Sequence, residues 1–244
     1  MNCQIAISAA VFATLLSARA VADEQPHAIP PPAIDENHIG RNGLETAVLS
    51  GGCFWGMQGL FEHVRGVREV EAGYAGGSAA TAHYEMTSTG TTGQAESVRI
   101  HFDPTNVTYG QILRIFLSIA HDPTESDRQG PDDGPQYRSD IFYGDAAQEK
   151  VARAYVAQLS RQHVFGAPIV TRIDPLEGFY LAESYHQDYL IHHPDSPYIV
   201  AFDLPKIARL KAIYPALYRA DPVPLAVAQG TSGSRSEKSR LGRR

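Results

Sequence analysis

The sequence predicts an α+β fold, a split β-α-β (ferredoxin-like) mixed sheet with helices packed on it and long ordered loops. Two observations carry this. Short apolar or alternating runs suited to strands are separated by runs of helical spacing that open on capping signals. Their order is β-α-β-β-α-β and then α-β, a succession compatible with α+β or mixed α/β. With 244 residues, 43% hydrophobic and 20% charged, the chain has the composition of a soluble globular protein able to bury one core.

Thr46 to Ser50 is a short apolar run suited to a buried strand. From Phe54 the apolar residues fall at 54, 57, 60, 61 and 64, a helical spacing. Val67 to Tyr74 alternates, with Val70, Ala72 and Tyr74 on one face, and Ser97 to Phe102 does so more cleanly through Val98, Ile100 and Phe102. Thr108 and Gln111 form a capping-box pattern before the helical run Ile112, Ile115, Phe116 and Ile119. Residues 138–143 read as a further strand. Asp145 with Gln148 caps a longer helix whose stripe is Val151, Tyr155, Val156 and Leu159, and Ala167 to Asp174 completes the series as a strand. The interruptions at 75–94, 120–137 and 174–205 are rich in aromatics, Gly and Pro, and loops of that length in a compact domain are often functional.

The two ends differ from this body. Ile5 to Ser17 is almost wholly apolar, too short to span a bilayer, and Ala20-Val21-Ala22 offers a cleavage site, so residues 1–22 are expected to be a signal peptide and the protein periplasmic or secreted. An uncleaved N-terminal anchor is the alternative. Residues 23–44 read as a Pro-rich linker, 45–217 as the catalytic domain and 218–244 as a flexible basic tail. Losing Arg19 with the peptide takes the formal charge from −6 to −7, and Thr231 to Arg244 carries five basic residues against Glu237, which leaves −11 on residues 23–230. So acidic a body excludes a nucleic-acid partner, and a monomer is expected.

The chemistry centres on Gly51-Gly52-Cys53-Phe54-Trp55-Gly56, which holds the only tryptophan and one of two cysteines. Two glycines permit a sharp strand-to-helix turn and place Cys53 at the first turn of a helix. Unpaired N–H groups and the helix dipole there predict a lowered thiol pKa and a nucleophilic thiolate. Phe54 and Trp55, pointing about 100° apart, cannot both face one core, so one stays near the sulfur as an aromatic wall for a small apolar group.

The chain resembles the A-type peptide methionine sulfoxide reductases. Gly52-Cys53-Phe54-Trp55-Gly56 is their hallmark, followed in order by Gly73-Tyr74-Ala75-Gly76-Gly77, Tyr84-Glu85, Thr89 to Glu96, His121-Asp122-Pro123-Thr124, Asp127 to Asp132, Gln136-Tyr137-Arg138-Ser139, Glu183 to Tyr189 and Pro197-Tyr198-Ile199-Val200. The resemblance covers roughly residues 45–215. It implies thiol-dependent reduction of the S epimer of methionine sulfoxide, free or in oxidised proteins, through a sulfenic acid on Cys53. Glu96 is then the protonated acid, Tyr84 and Tyr137 hold the sulfoxide oxygen, Phe54 and Trp55 enclose the methyl group, and Asp132 binds the substrate backbone. No metal and no other cofactor is implied, and His186 and Asp188 are expected to be supporting or packing residues. A Cys-His hydrolase using Cys53 and His186, or an inactive binder of methionine sulfoxide, are the competing classes.

One departure from the family matters. Many members carry recycling cysteines near the C-terminus, whereas no cysteine follows Cys53 here and Ser88 stands where relatives often have one. Recycling is therefore expected from an external thiol, either a small one or a thioredoxin-like or glutaredoxin-like protein.

Overall fold

The computed structural model describes residues 28–36 and 43–225. The predicted signal peptide and the basic stretch from Thr231 to Arg244 lie outside the described residues. Among those described, no helix is long and apolar enough to cross a membrane.

The chain runs β1 (Glu45–Ser50), α1 (Phe54–Glu62), β2 (Val67–Ala75), α2 (Tyr84–Thr87), β3 (Ala95–Phe102), α3 (Tyr109–Ile115), β4 (Arg128–Gln129), β5 (Asp132–Asp133) and β6 (Asp140–Tyr143). It continues with α4 (Ala146–Arg161), β7 (Arg172–Pro175), β8 (Phe179–Leu181), α5 (Tyr189–His192) and α6 (Leu204–Ile213). Six strands form one sheet in the order β7-β6-β1-β3-β2-β8. Its middle four, β6-β1-β3-β2, are antiparallel neighbours, so β3 sits between β1 and β2 and splits the first β-α-β unit as predicted. An antiparallel β8 on β2 and a parallel β7 on β6 extend the two edges, which makes the sheet mixed.

Alternation sets the core. Val70, Ala72 and Tyr74 of β2 and Val98, Ile100 and Phe102 of β3 are fully buried, and Phe54, Met57, Leu60 and Phe61 of α1 pack with them. The predicted capping box is formed: Gln111 N–H donates to Thr108 Oγ1 at 3.1 Å, and Thr108 N–H to Gln111 Oε1 at 3.0 Å. Asp145 caps α4 through Ala147 and Gln148 N–H groups, while the Gln148 amide reaches across to Thr46 O at 2.8 Å.

Four expectations change. The strand expected over Ala167 to Asp174 is confined to Arg172–Pro175, because Val170 N–H is taken by Pro123 O at 2.8 Å and Pro168 has no N–H to give a ladder. Helix α6 forms where none was expected; Leu210 is its one fully buried side chain, so its periodicity is faint. Residues 28–36, within the expected linker, lie strapped against α3 and α4: Ile29 is 1% exposed, its carbonyl accepts from Arg114 Nε at 2.8 Å, and Tyr155 Oη donates to Pro30 O at 2.7 Å. Residues 218–225, expected to begin a flexible tail, return along α1, with Arg219 N–H on His63 O and Val223 N–H on Glu62 O.

Candidate active site

At the end of β1 the backbone turns through Gly52 at φ +90, a conformation L side chains avoid. A Cβ at this position would also stand 2.8 Å from Gln129 Cγ, so glycine is required twice over. Gly52 N–H donates to Tyr137 O at 3.2 Å, which fastens the loop carrying Tyr137 to the turn. Cys53 follows as the N-cap of α1 and stays partly exposed. At Gly56, one turn on, the missing side chain lets Asp203 lie against the helix: a Cβ there would fall 1.9 Å from its Oδ1.

Glu96 lies on β3 beside that turn and is 4% exposed. Phe54 N–H donates to its Oε2 at 3.0 Å, and a hydrogen bond joins its side chain to Cys53. Burial pushes the Glu96 carboxyl up to about 8, with the Asp132 charge adding to the rise and the bonds from Phe54 N–H and Cys53 opposing it. Near pH 7 this carboxyl is neutral.

The thiol behaves differently from the sequence expectation. Burial, then the charges of Glu96, Asp203 and Asp132, raise the Cys53 thiol well above its ordinary value, and a bond from Trp55 N–H offsets only part of this. A helix N-terminus favours a thiolate, but burial outweighs it, with carboxyls delivered by distant segments adding to the rise. The resting sulfur is a thiol.

Tyr84 opens α2 and Tyr137 ends the short turn Pro135–Tyr137. Burial raises both phenols, and Glu96 raises each further, so both remain donors around the same carboxyl. Asp132 sits on β5; its Oδ2 accepts a hydrogen bond from Tyr198 Oη, and burial raises its carboxyl. Burial first, and Cys53 second, raise the Tyr198 hydroxyl.

Trp55 is half-buried and held on three sides. Its indole Nε1–H donates to His186 Nδ1 at 3.1 Å, its ring stacks on Tyr189 at 3.7 Å and 8°, and Tyr198 stands edge-on at 6.1 Å and 89°. Phe54, at 1% exposure, packs 5.0 Å from the His186 ring and 5.9 Å from Tyr74, so it backs the site from the core while Trp55 supplies the accessible wall. His186 is 2% exposed and sits among Phe54, Trp55, Tyr84 and Tyr185. With its Nδ1 occupied by the indole, it is a scaffold for Trp55, and nothing in its bonding makes it a base for Cys53. Asp188 accepts from the Gln58 amide at 3.3 Å and from Leu225 N–H at 3.1 Å, a packing role as expected.

Cys53, Glu96, Tyr84, Tyr137, Asp132 and Trp55 thus converge from five separated segments. The sequence singled out no role for Tyr198, Tyr189, Glu183 or Asp203; all four lie in the 174–205 loop, where no periodicity marks them.

A partly open thiol beside a neutral carboxyl and a ring of phenols is the equipment of a thiol-based oxidoreductase acting on a small polar oxygen. The peptide methionine sulfoxide reductase family model matches residues 45–215. Peptide methionine sulfoxide reductase MsrA 2 of Mesorhizobium japonicum is 52% identical over 181 residues, spanning 74% of this chain and 93% of its own length. MsrA of Deinococcus radiodurans is 44% identical over 170 residues, spanning 70% of this chain and 82% of its own. The solved structure of methionine sulfoxide reductase A of Corynebacterium diphtheriae aligns with a TM-score of 0.58 at 35% identity, over 67% of this chain and 82% of that one. The chain belongs to the peptide methionine sulfoxide reductase family, of the A type, an oxidoreductase family that reduces methionine sulfoxide.

Proposed function

We propose that the protein reduces the S epimer of methionine sulfoxide, free or in oxidised proteins, through a sulfenic acid on Cys53 that an external thiol returns to the resting state. The observation that carries this is Glu96, buried, uncharged near pH 7 and hydrogen-bonded to Cys53. A neutral carboxyl can give a proton to a leaving oxygen where a carboxylate can only repel it.

In this scheme Tyr84, Tyr137 and Glu96 hold the sulfoxide oxygen, Trp55 lies against the methyl group with Phe54 behind it, and Asp132 takes the substrate backbone. The Cys53 sulfur attacks the sulfoxide sulfur. As it does so the thiol proton passes to Glu96 and the Glu96 proton to the oxygen, so no net charge accumulates in the buried site. The products balance: one thiol and one sulfoxide become one sulfenic acid and one thioether. Two equivalents of external thiol then give back Cys53, with one disulfide and one water. No cysteine follows Cys53, and the other one, Cys3, lies in the predicted signal peptide. A small thiol or a thioredoxin-like or glutaredoxin-like protein therefore supplies the electrons, and the work done is repair after oxidation.

Incubation with each epimer and dithiothreitol tests the scheme. The S epimer alone is reduced, Cys53→Ser reduces neither, and one turnover without reductant leaves an adduct with a dimedone-type probe. A stable intramolecular disulfide after turnover contradicts it.

A further inference from the structure

Glu183 ties together parts of the site that no strand or helix connects. Its Oε1 accepts from Tyr84 N–H at 3.0 Å, and its Oε2 accepts from Tyr74 Oη at 2.8 Å. The same Oε2 faces His186 Nε2 at 4.0 Å. Partial burial acts to raise this carboxyl, but the hydrogen bonds from Tyr84 N–H, its own N–H and Tyr74 hold it below the usual carboxylate range, so it is ionised.

The His186 tautomer follows from its neighbours. An indole N–H only donates, so His186 Nδ1 must accept and the neutral ring carries its proton on Nε2. That Nε2 has no hydrogen-bond partner, and the carboxylate of Glu183 lies in front of it. The charged groups acting on the ring are Glu183 and the exposed Glu85.

We propose that Glu183 is a positioning residue for sulfoxide reduction. Its carboxylate anchors the first residue of α2, and with it Tyr84, and it favours the Nε2–H form of His186 that leaves Nδ1 free to orient the Trp55 indole. This rests on Tyr84 and Trp55 contacting substrate as set out above. No reacting atom touches Glu183; it acts through its two neighbours.

Glu183→Gln separates positioning from packing because it keeps size and can keep an oxygen on Tyr84 N–H. Its NH₂ group then faces His186 Nε2 and favours the opposite tautomer, which sets an Nδ1–H against the indole N–H. Three readouts are taken with the S epimer and dithiothreitol: kcat and KM, thermal unfolding, and the emission of Trp55, the only tryptophan. The expected result is a wild-type unfolding temperature to within a few degrees, an altered emission, and kcat/KM lower by about 10- to 100-fold, the size of effect that small misplacements at a site produce. Glu85→Gln is expected to leave all three unchanged. Wild-type kcat/KM in Glu183→Gln overturns the proposal, and so does lost activity with unchanged emission or with gross unfolding, since each makes the role structural or absent. Cys53→Ser run alongside isolates the underlying assignment: turnover in that variant sinks the site, whatever Glu183 does.

Discussion

Glu96→Gln should make the protein more stable and almost inactive at once. In the folded state the Glu96 carboxyl is pushed from 4.5 up to about 8. A carboxyl raised in this way binds its proton more tightly folded than unfolded, so its contribution is whole below pH 4.5 and is lost as pH climbs towards 8. Between pH 5 and 7.5 each pH unit removes about 1.4 kcal/mol, or ~3 kcal/mol across that interval. Glutamine has no proton to lose and escapes this cost. The gap between variant and wild type should therefore widen by ~3 kcal/mol from pH 5 to 7.5, which is roughly 6–12 °C in Tm for a domain of this size. Taking the difference between the two proteins cancels the other raised carboxyls, Glu62 at about 9 and Asp140 at about 6. Urea or thermal unfolding at the two pH values measures it. Turnover should fall by ~10²-fold or more, because the amide cannot deliver a proton. Stability curves that run parallel across this pH range would refute the account of Glu96 as a buried neutral acid, however low the activity.

Two further outcomes follow from the same structure. In the substrate-free enzyme at neutral pH, iodoacetamide should alkylate Cys53 no faster than a free thiol, with a rate still rising above pH 9.0, the ordinary value, because burial and nearby carboxyls hold the proton on sulfur; rapid alkylation at pH 6 would restore the resting thiolate. Ile29→Ala should cost about 2–4 kcal/mol in urea unfolding, as for a buried core side chain, since Ile29 is 1% exposed; an unchanged midpoint would return residues 28–36 to the status of a linker.

What the sequence disclosed tracks how local each signal was. Period-two alternation marked β2 and β3, and the Thr108–Gln111 pair marked the start of α3, because each depends on residues a few positions apart. Edge strand β8, three residues long and at best half-buried, has no pattern to show. Pro168 inside an otherwise apolar run misled, since the run reads as a strand only if every N–H can pair. At the site, the Gly-Gly turn located Cys53, and the family motifs supplied Glu96, Tyr84, Tyr137 and Asp132. Glu183 and Tyr198 escaped because their roles arise from partners about 100 and 66 positions away, Tyr84 and Asp132. The thiol's raised pKa is hidden from the sequence for the same reason. The helix N-terminus is written beside Cys53, whereas Glu96, Asp132 and Asp203 reach it only through the fold.

The protonated resting thiol bears on how such a site can work. A permanent thiolate would place a negative charge in a dehydrated site beside Asp132 and Asp203, and burial, the largest cause of the raised thiol, opposes it. It would also be open to any passing oxidant or electrophile. Holding the proton on sulfur avoids both. In the proposed scheme the thiol becomes reactive only when an acceptor oxygen arrives to draw the Glu96 proton, which frees Glu96 to take the proton of the thiol to which it is already bonded. On that scheme the burial and carboxyls that raise the thiol's pKa would couple nucleophile formation to the presence of a sulfoxide. Neutralising Asp203 should lower the thiol's pKa and make the idle enzyme easier to alkylate, at the expense of that coupling.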